Sequence, residues 1–230
     1  MIGDDLIARI LREGERRADE VEVFYARGTS VSAEIKKGIL GTAEESEAWS
    51  MAIRTVRDGR IGSSSTGDPD RWKECLEAAL ASGRLATPQQ WGGFPKPAEM
   101  AGTASSSDPD IVVAIEDAAG MVDALLAGAA EHPVEVVGGS ADLARSYIAV
   151  ANTNGVTYGM DRTVAAVSLE AIREQSTGYE FDASPFRADI DARSVGERAA
   201  ALAARPLGGL EVETGRYDVV LSPVAAASIL

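Results

Sequence analysis

Apolar positions along this chain follow two rhythms, one of period 3.6 and one of period 2, and the two predict helix and strand in turn. Leu6, Ile7, Ile10 and Leu11 share one helical face, with Arg9, Arg12, Glu13, Arg16 and Arg17 on the other and Asp4 placed to cap it. Val21, Val23 and Tyr25, then Val31, Ala33 and Ile35 beyond Gly28, alternate as strands do, and so do Trp49, Met51, Ile53 and Thr55. Asp58-Gly59, between Val56 and Ile61, is the sharpest hairpin signal, because both residues tolerate the positive φ of a type I′ turn. Gly67-Asp68-Pro69 then predicts a helix start, with Trp72, Cys75, Leu76, Ala79 and Leu80 on its buried stripe and an end near Gly83.

Residues 87–107 carry no period and are rich in Pro, Gly and Ser, which predicts a linker or surface loop between two halves. Asp108-Pro109 repeats the helix-start pattern before the stripe Ala118, Val122, Leu125, Leu126 and Ala129, which ends near His132-Pro133. The stretch Arg145–Glu174 predicts two or three antiparallel strands at the centre of a sheet, with corners at Asn154-Gly155 and near Gly159–Arg162. A further helix has Ser194 and Glu197 as a capping box and Pro206 as its stop. Tyr217–Leu221 predicts a short buried strand, followed by an apolar helical pattern from Pro223.

The sum is an α+β fold, with a mostly antiparallel sheet and long helices packed on one face. Residues 4–84 and 112–205 share an order of elements that fits either a degenerate internal repeat or a plain meander. The domain expectation is one N-terminal α/β domain over 1–210 and, over 211–230, the start of a further domain cut short inside an uncapped helix.

Composition narrows the function classes. At 45% hydrophobic and 25% charged, the 230 residues are ordinary globular material. The formal net charge of -14 repels phosphate backbones and anionic lipid, so neither nucleic acid nor membrane is an expected partner. No secretory signal or apolar run of about 18 residues is present, and the cytoplasm is the expected location.

Candidate chemistry is sparse. His132, the only histidine, sits at a helix end where its charge complements the macrodipole, and Cys75, the only cysteine, falls on an apolar stripe. Zinc motifs need two or more such ligands at set spacing, which leaves only carboxylates: Glu44, Glu45 and Glu47, and Asp182, Asp189 and Asp191. Neither group has the spacing of a calcium loop, and both read as solvated charge. No catalytic, cofactor-binding or metal-ligating residue is expected in this chain. Trp91 and Phe94 could anchor a partner or pack back on their own domain.

Four segments resemble the TldD/PmbA family, once called modulators of DNA gyrase. Trp49–Thr66 is similar to its strand leading through Asp-Gly-Arg to a closing Thr, Ala151–Val156 to its Asn-x-Gly turn, Ser194–Leu207 to its Ala-rich helix, and Thr214–Leu230 to its Tyr-x-Val-Val-Leu-x-Pro strand. The resemblance implies a cytoplasmic metallopeptidase built from paired subunits that act on unfolded peptides. In that family one subunit type carries a zinc-binding His-Glu-x-x-x-His motif after the Val-Val-Leu strand, while the TldE or PmbA type lacks it. Here Ser-Pro-Val-Ala-Ala-Ala-Ser follows Val219-Val220-Leu221, which is similar to the PmbA type. The expectation is therefore a non-catalytic N-terminal scaffold, with zinc only in a TldD-like partner or catalytic subunit, and a TldD-like subunit or a second copy as the dimer partner. A free-standing binding or assembly module is the alternative.

Overall fold

The computed structural model describes residues 2–98, 106–205 and 212–229. Helix α1 spans Ile2–Gly14, followed by three strands, β1 (Glu20–Lys36), β2 (Ile39–Arg57) and β3 (Arg60–Thr66), and helix α2 (Trp72–Leu85). The same order returns as α3 (Ile115–Ala129), β4 (Glu135–Asn152), β5 (Thr157–Arg173), β6 (Ser176–Ser184) and α4 (Ala192–Ala203), and a last helix, α5, spans Pro223–Ile229. The strands form one antiparallel sheet in the order β3-β2-β1-β4-β5-β6. Each half thus contributes a three-stranded meander, and β1 meets β4 at the centre. Thr153 N donates to Val21 O at 2.9 Å and Lys37 N to Val137 O at 3.3 Å, so β1 and β4 run in opposite directions.

Four of these strands hold 17 to 19 residues, about three times the common strand length. Each therefore takes part in both of the compact units into which the chain divides. One unit comprises Met1–Thr29, Ser46–Ser107 and Arg145–Thr163. In it Ile7 and Ile10 of α1 and Leu76 and Ala79 of α2 bury themselves against Val21, Val23, Met51 and Ile53. The other comprises Ser30–Glu45, Asp108–Ala144 and Val164–Leu230. There Met121 and Leu125 of α3 and Val195 and Ala199 of α4 pack on Ala33, Leu143, Val167 and Leu169. In each unit one face of the sheet carries the helices. At about 1.5–3 kcal/mol for each large buried side chain, these two clusters are the main favourable contribution to folding.

Several local expectations change. Gly28 does not divide the first alternation, which is a single strand. Gly159–Arg162 lies inside β5, and the chain reverses at Glu174, whose φ is 55°. Tyr147 lies against Gly159, and the smallest residue there leaves room for it without a bend. Helix α1 starts at Ile2, so Asp4 stands within it rather than ahead of it. Asp108 caps no helix. Its carboxylate accepts from Asp110 N at 3.0 Å and Arg187 N at 2.9 Å, and α3 begins six residues after Pro109. The cap of α4 is Asp191, which accepts from Ser194 N at 3.1 Å. A carboxylate three residues upstream has already taken the amide that a capping box would use. Pro206, the expected stop, lies outside the described residues, and α4 ends at Ala203. Tyr217–Leu221 forms no strand. Val220 is 98% exposed, and no neighbouring strand pairs with this segment among the described residues.

Candidate functional site

The concave features of the first unit include an apolar groove on its sheet and a cleft lined by arginines. On the sheet face away from its helices, Phe24 of β1, Ala52 of β2, Ile148 and Val150 of β4, and Tyr158 and Met160 of β5 line a groove of about 470 Å³. Alternation puts them there. Val21, Val23 and Met51 turn to the core, so their neighbours of opposite parity turn outward. Phe24 remains 41% exposed and Tyr158 38%, so the groove presents aromatic surface to solvent. Glu22, 8% exposed, bounds the groove and accepts from Arg54 Nε at 3.0 Å. The Arg54 guanidinium lies 5.3 Å from the centre of the Phe94 ring, within cation–π range.

Phe94 belongs to residues 87–98, which are bonded back onto this unit. Phe94 N donates to Glu20 Oε2 at 2.6 Å, and Asn154 Nδ2 donates to Phe94 O at 2.8 Å. Asn152 Nδ2 donates to Pro95 O at 3.0 Å, and Gln89 N to Gly59 O at 2.8 Å. Trp91 meets Phe94 edge to face at 5.2 Å, and Phe94 is 4% exposed. The two aromatics therefore pack on their own unit rather than waiting for a partner.

Asn152 is 3% exposed and sets the β4–β5 turn. Its Oδ1 accepts from Asn154 N at 3.0 Å and Val156 N at 3.2 Å. Gly155 takes a φ of 94°, while Asn154 stays at negative φ, so the corner is built on this side chain and not on a type I′ pair. Nothing in the pattern of the sequence distinguishes Asn152 from the Asn-Gly two residues on.

The other residues weighed as chemical candidates do not converge. Cys75 is buried against the core of the first unit, whereas His132 is half-buried after α3 in the second. Glu44, Glu45 and Glu47 are exposed along β2. Asp182 accepts from Ala183 N within β6, Asp189 from Ser184 Oγ, and Asp191 from Ser194 N, each a contact close in sequence. No three His, Cys, Asp or Glu side chains gather to hold a metal ion among the described residues. The described residues offer no ligand set that fits zinc.

A gathering that the sequence pattern did not bring out is basic. Arg16 and Arg17 after α1, Arg57 and Arg60 at the two ends of the Asp58-Gly59 turn, and Arg84 in the last turn of α2 face one cleft of about 500 Å³. The net charge of -14 conceals it, because the five lie in three separate stretches of sequence.

Comparison with known proteins places the chain. The model of PmbA/TldA metallopeptidase domain 1 matches residues 21–83, and that of the PmbA/TldA metallopeptidase central domain matches residues 99–207. A curated metalloprotease of Methanothermobacter thermautotrophicus is 26% identical over 233 residues, covering 96% of this chain and 51% of the relative. The chain thus spans about half the length of the curated relative it matches. Among solved structures, TldE from Thermococcus kodakarensis superposes with a TM-score of 0.77 at 20% identity, over 85% of this chain and 46% of its own. A candidate modulator of DNA gyrase from Thermotoga maritima gives 0.80 at 17%, over 92% and 50%. One from Bacteroides thetaiotaomicron gives 0.80 at 17%, over 93% and 52%. At these identities the structures establish a shared fold. The two family models, matching in chain order over well more than half of the residues, establish that the chain belongs to the PmbA/TldD metallopeptidase family.

Proposed function

We propose that this chain is the N-terminal scaffold of a PmbA/TldE-like subunit in a zinc-dependent peptidase that acts on unfolded peptides. The observation that carries the proposal is the ordered match of domain 1 and the central domain in a chain spanning half of a full-length metalloprotease. The Ser-Pro-Val-Ala-Ala-Ala-Ser segment after Leu221 supports the PmbA-like type, since it has neither the His nor the Glu of a zinc helix. In this proposal the zinc ligands belong to a TldD-like partner or catalytic subunit, and this chain positions and encloses. The apolar groove bounded by Glu22 and Arg54 gives an extended peptide hydrophobic contact without a group that could attack it.

The test is reconstitution. Purified 1–230 alone leaves an unstructured casein peptide intact with or without added zinc, whereas the full-length subunit with a TldD-like partner from the same organism cleaves it and loses activity to EDTA. Metal-dependent cleavage by 1–230 alone would overturn the proposal.

A further inference from the structure

We propose that the arginine-lined cleft of the first unit binds a small anion carrying two or more phosphoryl groups. Three elements build it: the end of α1, the β2–β3 turn and the last turn of α2. The turn is fixed by positive φ at Asp58 (51°) and Gly59 (70°), which sets Arg57 and Arg60 opposite each other across the register of the hairpin. Thr55, 2% exposed, adds a buried hydroxyl-bearing residue to the lining, and Leu80 and Gly83 add an uncharged patch.

The cationic charge is only partly neutralised. Arg17 is bidentate to Glu77, with Nη2–Oε2 at 2.7 Å. Arg16 reaches Glu13 at 3.4 Å, an exposed pair of low strength. Arg57 Nε stands 4.0 Å from Asp58, and its Nη1 donates to the Arg17 carbonyl at 3.3 Å. Arg60 is held by the Ala86 carbonyl, which fixes its orientation and leaves its charge intact. Arg84 has no carboxylate at ion-pairing distance among the described residues and feels Glu77 only through space. Asp19 is also nearby, but it accepts from Asp58 N at 2.8 Å. Arg57, Arg60 and Arg84 therefore keep donors and charge for a ligand.

Guanidinium forks match phosphoryl oxygens two bonds at a time, which a point-charge ammonium cannot do. A cleft of about 500 Å³ is far larger than one phosphate requires and lies within the ordinary range for small-molecule sites. In a chain of net charge -14, a compact anion that reaches this cleft is attracted locally, while an extended polyanion is repelled by the rest of the surface.

Calorimetric titration of the 230-residue chain with pyrophosphate, ADP and citrate tests the assignment. Pyrophosphate and ADP bind one to one and weaken as salt rises from 50 to 200 mM. Arg57→Gln and Arg84→Gln, both exposed and so expected to leave the circular dichroism spectrum unchanged, each weaken binding at least tenfold. ADP tighter than pyrophosphate supports a nucleotide as the source of the phosphoryl groups, and equal affinity supports an inorganic one. The assignment is overturned if neither phosphoryl probe binds, if citrate binds as tightly as pyrophosphate, or if the two variants bind unchanged.

Discussion

At the residue scale, two glycines do the same task in the two halves. A Cβ on Gly62, the third residue of β3, would collide with the Ala79 carbonyl and the Gly83 backbone of α2. A Cβ on Gly178, the third residue of β6, would collide with the Ala199 carbonyl and the Ala203 amide of α4. In both, a strand passes under a helix at positions four residues apart. Gly62→Ala and Gly178→Ala are each expected to cost about 1–3 kcal/mol, because backbone rather than a flexible side chain must move. Urea midpoints measure this, with Gly92→Ala as the control, since a Cβ there meets nothing within 4 Å. Asn152→Leu is expected to cost about 1–3 kcal/mol by leaving the amides of Asn154 and Val156 and the Pro95 carbonyl without their partner. Neither role could be read from sequence. Gly59 could, because a turn is a local event, whereas Gly62 answers to a helix packed over it and Asn152 answers also to Pro95, 57 residues back.

At the scale of elements, the apolar stripes predicted for α1, α2 and α3 are the buried faces observed, because a helix shows its core-facing side through its own periodicity. Helix starts were less legible. Asp-Pro occurs twice: Asp68 caps a short turn leading into α2, while Asp108 is occupied by the amide of Arg187, 79 residues on. Asp191→Ala is expected to lower stability by about 1 kcal/mol, and Ser194→Ala by much less, a difference that thermal unfolding of the two variants resolves. The tie between the end of α1 and α2 is charged. Arg17 bonding holds the Glu77 carboxyl below its ordinary value of 4.5. A carboxyl with a depressed folded value contributes stability that is complete above its unfolded value and is lost as pH falls through the folded one. Below pH 4.5 the stability difference between the wild type and Glu77→Gln is therefore expected to shrink, and urea midpoints taken down the pH scale follow it. The opposite trend would show that the pair does not tie the end of α1 to α2.

At the scale of the molecule, the repeated order of elements and the paired glycines favour an internal repeat over a meander. The strand order and antiparallel sense follow from short connections, and the alternation of apolar residues made the sheet legible. The partition into units was not legible, because it runs across the strands instead of between segments of sequence. The first unit includes Arg145–Thr163, whose Ala149 and Ala151 lie in its core. A fragment of residues 1–98 therefore lacks part of its own centre and is expected to give no cooperative thermal transition by circular dichroism. A sharp melt at the temperature of the whole chain would show that the first half folds alone. The bonding of residues 87–98 bears on how the protein can be handled. By composition this Pro- and Gly-rich stretch is where an engineer would open the chain for a tag, a fluorescent insert or new termini. Its amides and carbonyls, however, are fastened to Gly59, Glu20, Asn152 and Asn154. An insertion there would loosen the hairpin turn and the β4–β5 corner together, and a protease probing the native protein would find little slack to cut.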